Sequence, residues 1–187
     1  MKLANTVLAA VAALGLAGVA MAEGQSFDIV VDNQSWDLEG SPNNETITVD
    51  LAALGLAPAD WVLNGVGWNV DVDPIGASWY SEVTFGFADQ GSVNDLFVTP
   101  GAGDDFANTG APINYTSGGT LKLGDAGIPD IAISSGFLEI EIFESFDDVA
   151  GAPDANVSGT ITLQFVPAPG ALALLGLAGV VGRRRRR

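Results

Sequence analysis

The chain has 187 residues, with 23 acids against 7 bases, a formal charge of −16, and neither histidine nor cysteine. Ser-His-Asp and Cys-His catalysis are thereby excluded, as are ordinary zinc and copper sites and disulfide cross-links. Every acid lies between Glu23 and Val166, where Lys122 is the one base, so that stretch carries about −22 and repels nucleic-acid phosphate.

In chain order, Met1 to Ala22 read as a secretory signal peptide. Lys2 supplies the positive start, Val7 to Val19 an unbroken apolar stretch, and Ala20, Met21 and Ala22 a small-x-small cleavage site before Glu23. Cleavage after Ala22 leaves an exported chain beginning at Glu23; the alternative is an uncleaved N-terminal anchor.

Residues 23–165 read as one domain with a hydrophobic period of two. Ile47, Val49 and Leu51 alternate with Thr46, Thr48 and Asp50. Val66, Trp68, Val70 and Val72 alternate with Gly67, Asn69, Asp71 and Asp73. Leu138, Ile140 and Ile142 alternate with Phe137, Glu139 and Glu141, and Ile161, Leu163 and Phe165 with Thr160, Thr162 and Gln164. Each pattern predicts a strand with one wet face. Further strands are predicted at Phe27–Val31, Trp79–Phe87, Asp95–Val98 and around Leu121, with turn-rich stretches between them. Leu51–Leu56 hints at a helical turn stopped by Pro58. Pro100–Gly119 reads as a long loop, where binding residues tend to sit. The expected fold is all-β: a single antiparallel β-sandwich, jelly-roll-like.

With no His or Cys, the remaining chemistry belongs to carboxylates. Glu139 and Glu141 share one strand face about 7 Å apart, a spacing used in glycoside hydrolysis; the plainer reading is a solvated face, and no catalytic residue is expected. No metal or cofactor is required by the sequence. Calcium is the candidate ion, because Asp and Asn in loops supply the oxygens it prefers. Its candidate ligands are Asp71 with Asp73, Asp104 with Asp105, and Asp147 with Asp148 and Asp154, then Asp89, Asn94 and Asp95. None forms an EF-hand, and Asp and Asn are also turn formers. Asn-x-Ser/Thr triplets at Asn33, Asn44, Asn114 and Asn156 fit turn chemistry equally well. Any of Trp36, Trp61, Trp68 and Trp79 would stack on a sugar ring if exposed; Trp68 is in phase with core positions, whereas Trp36 and Trp61, at strand ends, are freer for ligand contact.

The chain closes with Val166, Pro167, Ala168 and Pro169, an apolar run from Gly170 to Gly182, and Arg183, Arg184, Arg185, Arg186 and Arg187. Thirteen helical residues span about 20 Å, short of the ~30 Å hydrocarbon core. The arginines act as a cytoplasmic stop. This is a weak anchor, suited either to removal or to a permanent short tether.

The complete arrangement resembles the bacterial PEP-CTERM proteins, residues 166–187 corresponding to the sorting signal: motif 166–169, transmembrane helix 170–182 and Arg tail 183–187. Pro167, Pro169 and the arginines match the family pattern; Ala168 stands where Glu is usual. The resemblance implies an exosortase-type processing enzyme as partner, transient residence in the inner membrane, and release to the cell surface or extracellular matrix, with extracellular polysaccharide as a further partner. The middle domain, through GVGWNVDV, GASWYSEVTFGF and SGTITLQF, resembles the layout of jelly-roll P-domains and galactose-binding-like modules. Together these imply an exported structural or adhesive protein that is not an enzyme, the alternative being a secreted carbohydrate-active enzyme or glycan-binding module.

Overall fold

The computed structural model describes residues 24–56, 61–148 and 151–168. The proposed cleavage site (Ala20, Ala22, Glu23), Pro169, the candidate helix 170–182 and Arg183 to Arg187 lie outside the described residues. Among the described residues no helix is long and apolar enough to cross a membrane.

Among the described residues ten strands form two antiparallel sheets. They are β1 (Gln25–Ser35), β2 (Glu45–Asp50), β3 (Trp61–Pro74), β4 (Val83–Asp89), β5 (Leu96–Val98), β6 (Ile113–Thr116), β7 (Leu121–Lys122), β8 (Ile131–Ile133), β9 (Phe137–Glu144) and β10 (Ala155–Pro167). One sheet has the order β1-β10-β3-β6, with β7 and β8 also paired to β3; the other has the order β2-β9-β4-β5. Because β6, β7 and β8 meet β3 at Val72, Val66 and Leu63 in turn, they act as one broken edge strand. Counted so, the chain alternates between sheets except at the β4–β5 hairpin, as a jelly roll does.

The period of two produces this packing directly. Leu138, Ile140 and Ile142 of β9 turn inward against Ile161, Leu163 and Phe165 of β10, and Phe85 and Phe87 of β4 join them; all are fully buried. The opposite faces carry Thr, Asn, Asp and Glu to water, which stabilises the sandwich through burial on one side only.

Four expectations change. The strand predicted at Trp79–Phe87 starts at Val83, because residues 79–82 close a turn through Glu82 N–H to Trp79 O at 3.2 Å. The predicted loop at Pro100–Gly119 contains β6, whose four residues are too short to show a period but find a free edge on β3. β8 was hidden for the same reason, directly after a turn-rich stretch. Leu51–Leu56 makes turns only, with Leu56 N–H to Leu51 O at 2.9 Å; the helical turn is instead a 3-10 segment at Leu123–Ala126, ended by Gly127 at φ 73°.

The register defines two poles. Gln25 of β1 sits beside Phe165, and Trp61 of β3 beside Pro167, so the described chain ends share one pole. At the other pole Ser35, Ala155 and Pro74 are adjacent. We call this the distal pole; the loops β1–β2, β3–β4, β5–β6 and β9–β10 all gather there. β10, paired on both sides, spans about 40 Å between the poles.

Gly159 is the tightest point of β10. It lies between Val31 and Val70 at φ 136°, and a Cβ there would press into the carbonyl oxygen of Asn69. Gly159→Ala is predicted to lower stability by roughly 1–3 kcal/mol from backbone strain alone. Urea unfolding should show an earlier midpoint at unchanged slope. Ser158→Ala, one residue away on the wet face, should stay within about 0.5 kcal/mol of the parent.

Candidate functional site

The distal pole concentrates most of the unusual chemistry. β9 ends on Glu144, which is fully buried although charged residues almost never are without a partner. Its backbone N–H donates to Asp37 O at 3.0 Å, fixing it at the sheet end. The Ser35 hydroxyl donates to Oε1, while Oε2 is buried with no hydrogen-bond partner. Buried Asp154 enters from the β9–β10 loop, held by its N–H to Ser35 O and by Ile75 N–H to its carbonyl. Glu82 and Asp148 complete the acidic group. Lys122, the one base among the described residues, lies on β7 opposite Gly65, away from this pole.

Burial pushes the Glu144 carboxyl up to about 8; the Ser35 hydroxyl opposes this, and Asp154, Glu82 and Asp148 add repulsion. Glu82 is also raised, first by burial, against the Trp79 N–H that donates to it at 2.8 Å, with Asp148 adding to the rise. Desolvation without a base favours the neutral acid.

The candidate calcium ligands stand in three separate pairs. Asp71 and Asp73 lie on the wet face of β3 and accept from the amides of Asn114 (2.9 Å) and Asn108 (3.0 Å). Asp104 accepts from the Tyr115 hydroxyl at 2.7 Å, and that phenol is raised by burial and then by Asp104 itself. Asp105, Asp147 and Asp148 are exposed. Among the described residues no three His, Cys, Asp or Glu side chains form a group able to hold a metal ion.

Asp89 lines a cavity of about 370 Å³ with Asp95 and Asp130 at the opposite pole. Burial raises its carboxyl, but bonds from the side chains and N–H groups of Ser134 and Ser135 outweigh this and leave it below the usual range. Glu139 and Glu141 do share a face of β9. Glu141, however, accepts from Gly40 N–H (2.7 Å), Asn44 (2.8 Å) and Asn94 (2.9 Å), so it fastens two loops to the sheet. The amides of Asn33, Asn44, Asn114 and Asn156 all take part in such local bonds.

The tryptophans differ from expectation in one case. Trp61 is buried, because β10 and β8 flank its strand end on both sides. Trp68 packs partly on the core, and Trp36 is half-buried. Trp79 is 41% exposed. It belongs to the distal pole together with Phe106 and Phe146, neither of which stood out in the sequence; no local pattern distinguishes a surface aromatic from a core one.

A second depression, about 280 Å³, lies on the wet face between β10 and the loop after β6, over Gly67. Its Asp28 and Thr162 bond to each other at 2.7 Å, and its Ser117 hydroxyl is spent on Trp68 and Gly119 carbonyls.

No family model and no curated protein matches the sequence. Among solved structures the chain is similar to that of infectious bursal disease virus Gx strain, at 13% identity and TM-score 0.40. The match covers 80% of this chain and 34% of that one, so the chain spans about a third of its length. It is also similar to the Tobacco streak virus coat protein dimer (15% identity, TM-score 0.28, covering 77% and 87%). A third likeness is to heated Israeli acute paralysis virus (8%, 0.28, covering 81% and 77%).

A titration experiment follows from Glu144. Its folded value of about 8 exceeds its ordinary 4.5, so the folded state keeps a proton that the unfolded chain has released. The stabilisation is complete below pH 4.5 and is lost as pH rises through 8, with a slope of at most about 1.4 kcal/mol per unit. Urea unfolding should therefore show lower stability at pH 8 than at pH 5. Glu144→Gln, neutral throughout, should flatten that difference.

Proposed function

We propose that this is an exported, non-catalytic β-sandwich protein of the bacterial cell surface or extracellular matrix, with a structural or adhesive role. The N-terminal segment directs export. The tail holds the domain briefly in the inner membrane until an exosortase-type enzyme acts at or near Val166 to Pro169, releasing or transferring it.

The observation that carries this reading is the continuity of β10 with the tail. Val166 and Pro167 pair with Val62 and Trp61, so the motif begins inside the sandwich, at the pole where β1 also starts. A domain tethered there presents its four-loop pole away from the membrane. Glu141 supports the non-catalytic role, because its carboxylate is already occupied by three donors from the protein.

The test is the intact mass of the protein recovered from its host. In the presence of the processing enzyme the mature chain is expected to begin at Glu23 and to lack Arg183 to Arg187. Without the enzyme the arginines should remain. A surface-located protein that retains all five arginines in both backgrounds would reject processing.

A further inference from the structure

Four aromatic side chains are strongly exposed among the described residues: Trp79 (41%), Phe97 (50%), Phe106 (41%) and Phe146 (61%). Phe97 lies on the sheet, on β5, where it packs edge-on against Phe143 with ring centres 6.0 Å apart. The other three all belong to the distal pole, on three different loops.

Those loops are stitched together. Tyr80, fully buried, anchors two of them: its N–H donates to Phe106 O at 3.3 Å and its ring meets that of Phe106 at 5.3 Å. Its hydroxyl donates to Ala111 O at 2.7 Å. Trp79 forms a β-bridge with Ala107. The third loop joins through Ser145 N–H to Glu82 O at 2.9 Å, next to Phe146. The rings are thus presented on a braced support, which lowers the ordering cost of binding.

We infer that the distal pole is a binding surface for a neutral saccharide, which lays its apolar faces on Trp79, Phe106 and Phe146 and donates hydroxyls to the carboxylates around them. This rests on the adhesive reading above and gives it a site and a ligand class. Aromatic rings bring large apolar area at small entropy cost. Their charged neighbours, Glu82, Asp105, Asp147 and Asp148, are acceptors with no base beside them. A polyol suits both features, because it combines C–H faces with many O–H donors. Anionic polysaccharide, anionic lipid and a second copy of this acidic chain all meet repulsion here.

The experiment uses the full-length chain, titrated with dextran, galactomannan and cello-oligosaccharides against alginate as the anionic control. Indole fluorescence and calorimetry report binding, and a thermal melt confirms that each variant is folded. Saturable binding to at least one neutral glycan is expected, with none to alginate. Trp79→Ala and Phe146→Ala should each weaken it about ten-fold or more. Val93→Ala, an 80% exposed side chain in the β4–β5 turn at the other pole, should leave it unchanged. No binding to any neutral glycan, preference for alginate, or equal binding by parent and both aromatic variants would overturn the inference. So would concentration-dependent self-association abolished by Trp79→Ala. The processing reading is decided separately by the C-terminal mass, so either can fail alone.

Discussion

The structure depends on β10 being a central strand over its whole length. It pairs with β1 from Ala155 to Phe165 and with β3 from Ala155 to Pro167. Neither partner can be replaced locally, because a one-residue slip would turn Ile161, Leu163 and Phe165 out to water. This register also fixes which loops share a pole. Since β1 and β10 run antiparallel in full register, the start of one and the end of the other must lie together, and every connection from the opposite end is forced into one cluster. The orientation proposed for the tethered protein is therefore a consequence of strand pairing rather than an added feature.

The second constraint is charge without compensation. Residues 23–165 hold all the acids and one base, so carboxylates here cannot be satisfied by ion pairs. The molecule uses neutral donors instead: asparagine amides on Asp71, Asp73 and Glu141, serine hydroxyls on Asp89, and a tyrosine on Asp104. Exposed acids keep their hydration and need nothing more. Glu144 is buried with no base beside it, and burial favours its protonated form. Ser35 ties β1, β9 and the β9–β10 loop together at the pole where four loops must be ordered, its hydroxyl donating to Glu144 of β9 and its carbonyl accepting from the Asp154 N–H of the β9–β10 loop.

How much of this was legible in the sequence follows from the length of each signal. The patterns at Ile47, Val66, Leu138 and Ile161 each ran for several alternations, and each marks a strand of the sandwich. β6 and β8 are four and three residues long, below what a period can register, whereas the short strand expected around Leu121 is β7; all three pair with an edge that β3 leaves open, a tertiary cause. Trp61 looked free at a strand end but is covered by strands far away in sequence. Glu139 and Glu141 were legible as a shared face, whereas the donors that occupy Glu141 come from residues 40, 44 and 94 and could not be read locally. Glu144 is the plainest case: it lies one residue beyond the spacing of Glu139 and Glu141, in phase with Leu138, Ile140 and Ile142, and that offset carries it from the wet face into the protein.

Placement of the exposed rings bears on why the proposed adhesive chemistry would sit where it does. On the sheet faces, aromatic groups serve the core or each other, as Phe27 does on Phe165 and Phe97 on Phe143. Phe97, 50% exposed on the edge strand β5, is covered on one side by Phe143, which limits the apolar area left beside an open edge. At the distal pole the exposed rings stand on loops whose backbone groups are already bonded to one another, with carboxylates around them that discourage self-association. On the proposed reading, the carboxylates around the three distal rings limit self-association and leave those rings open to an uncharged ligand.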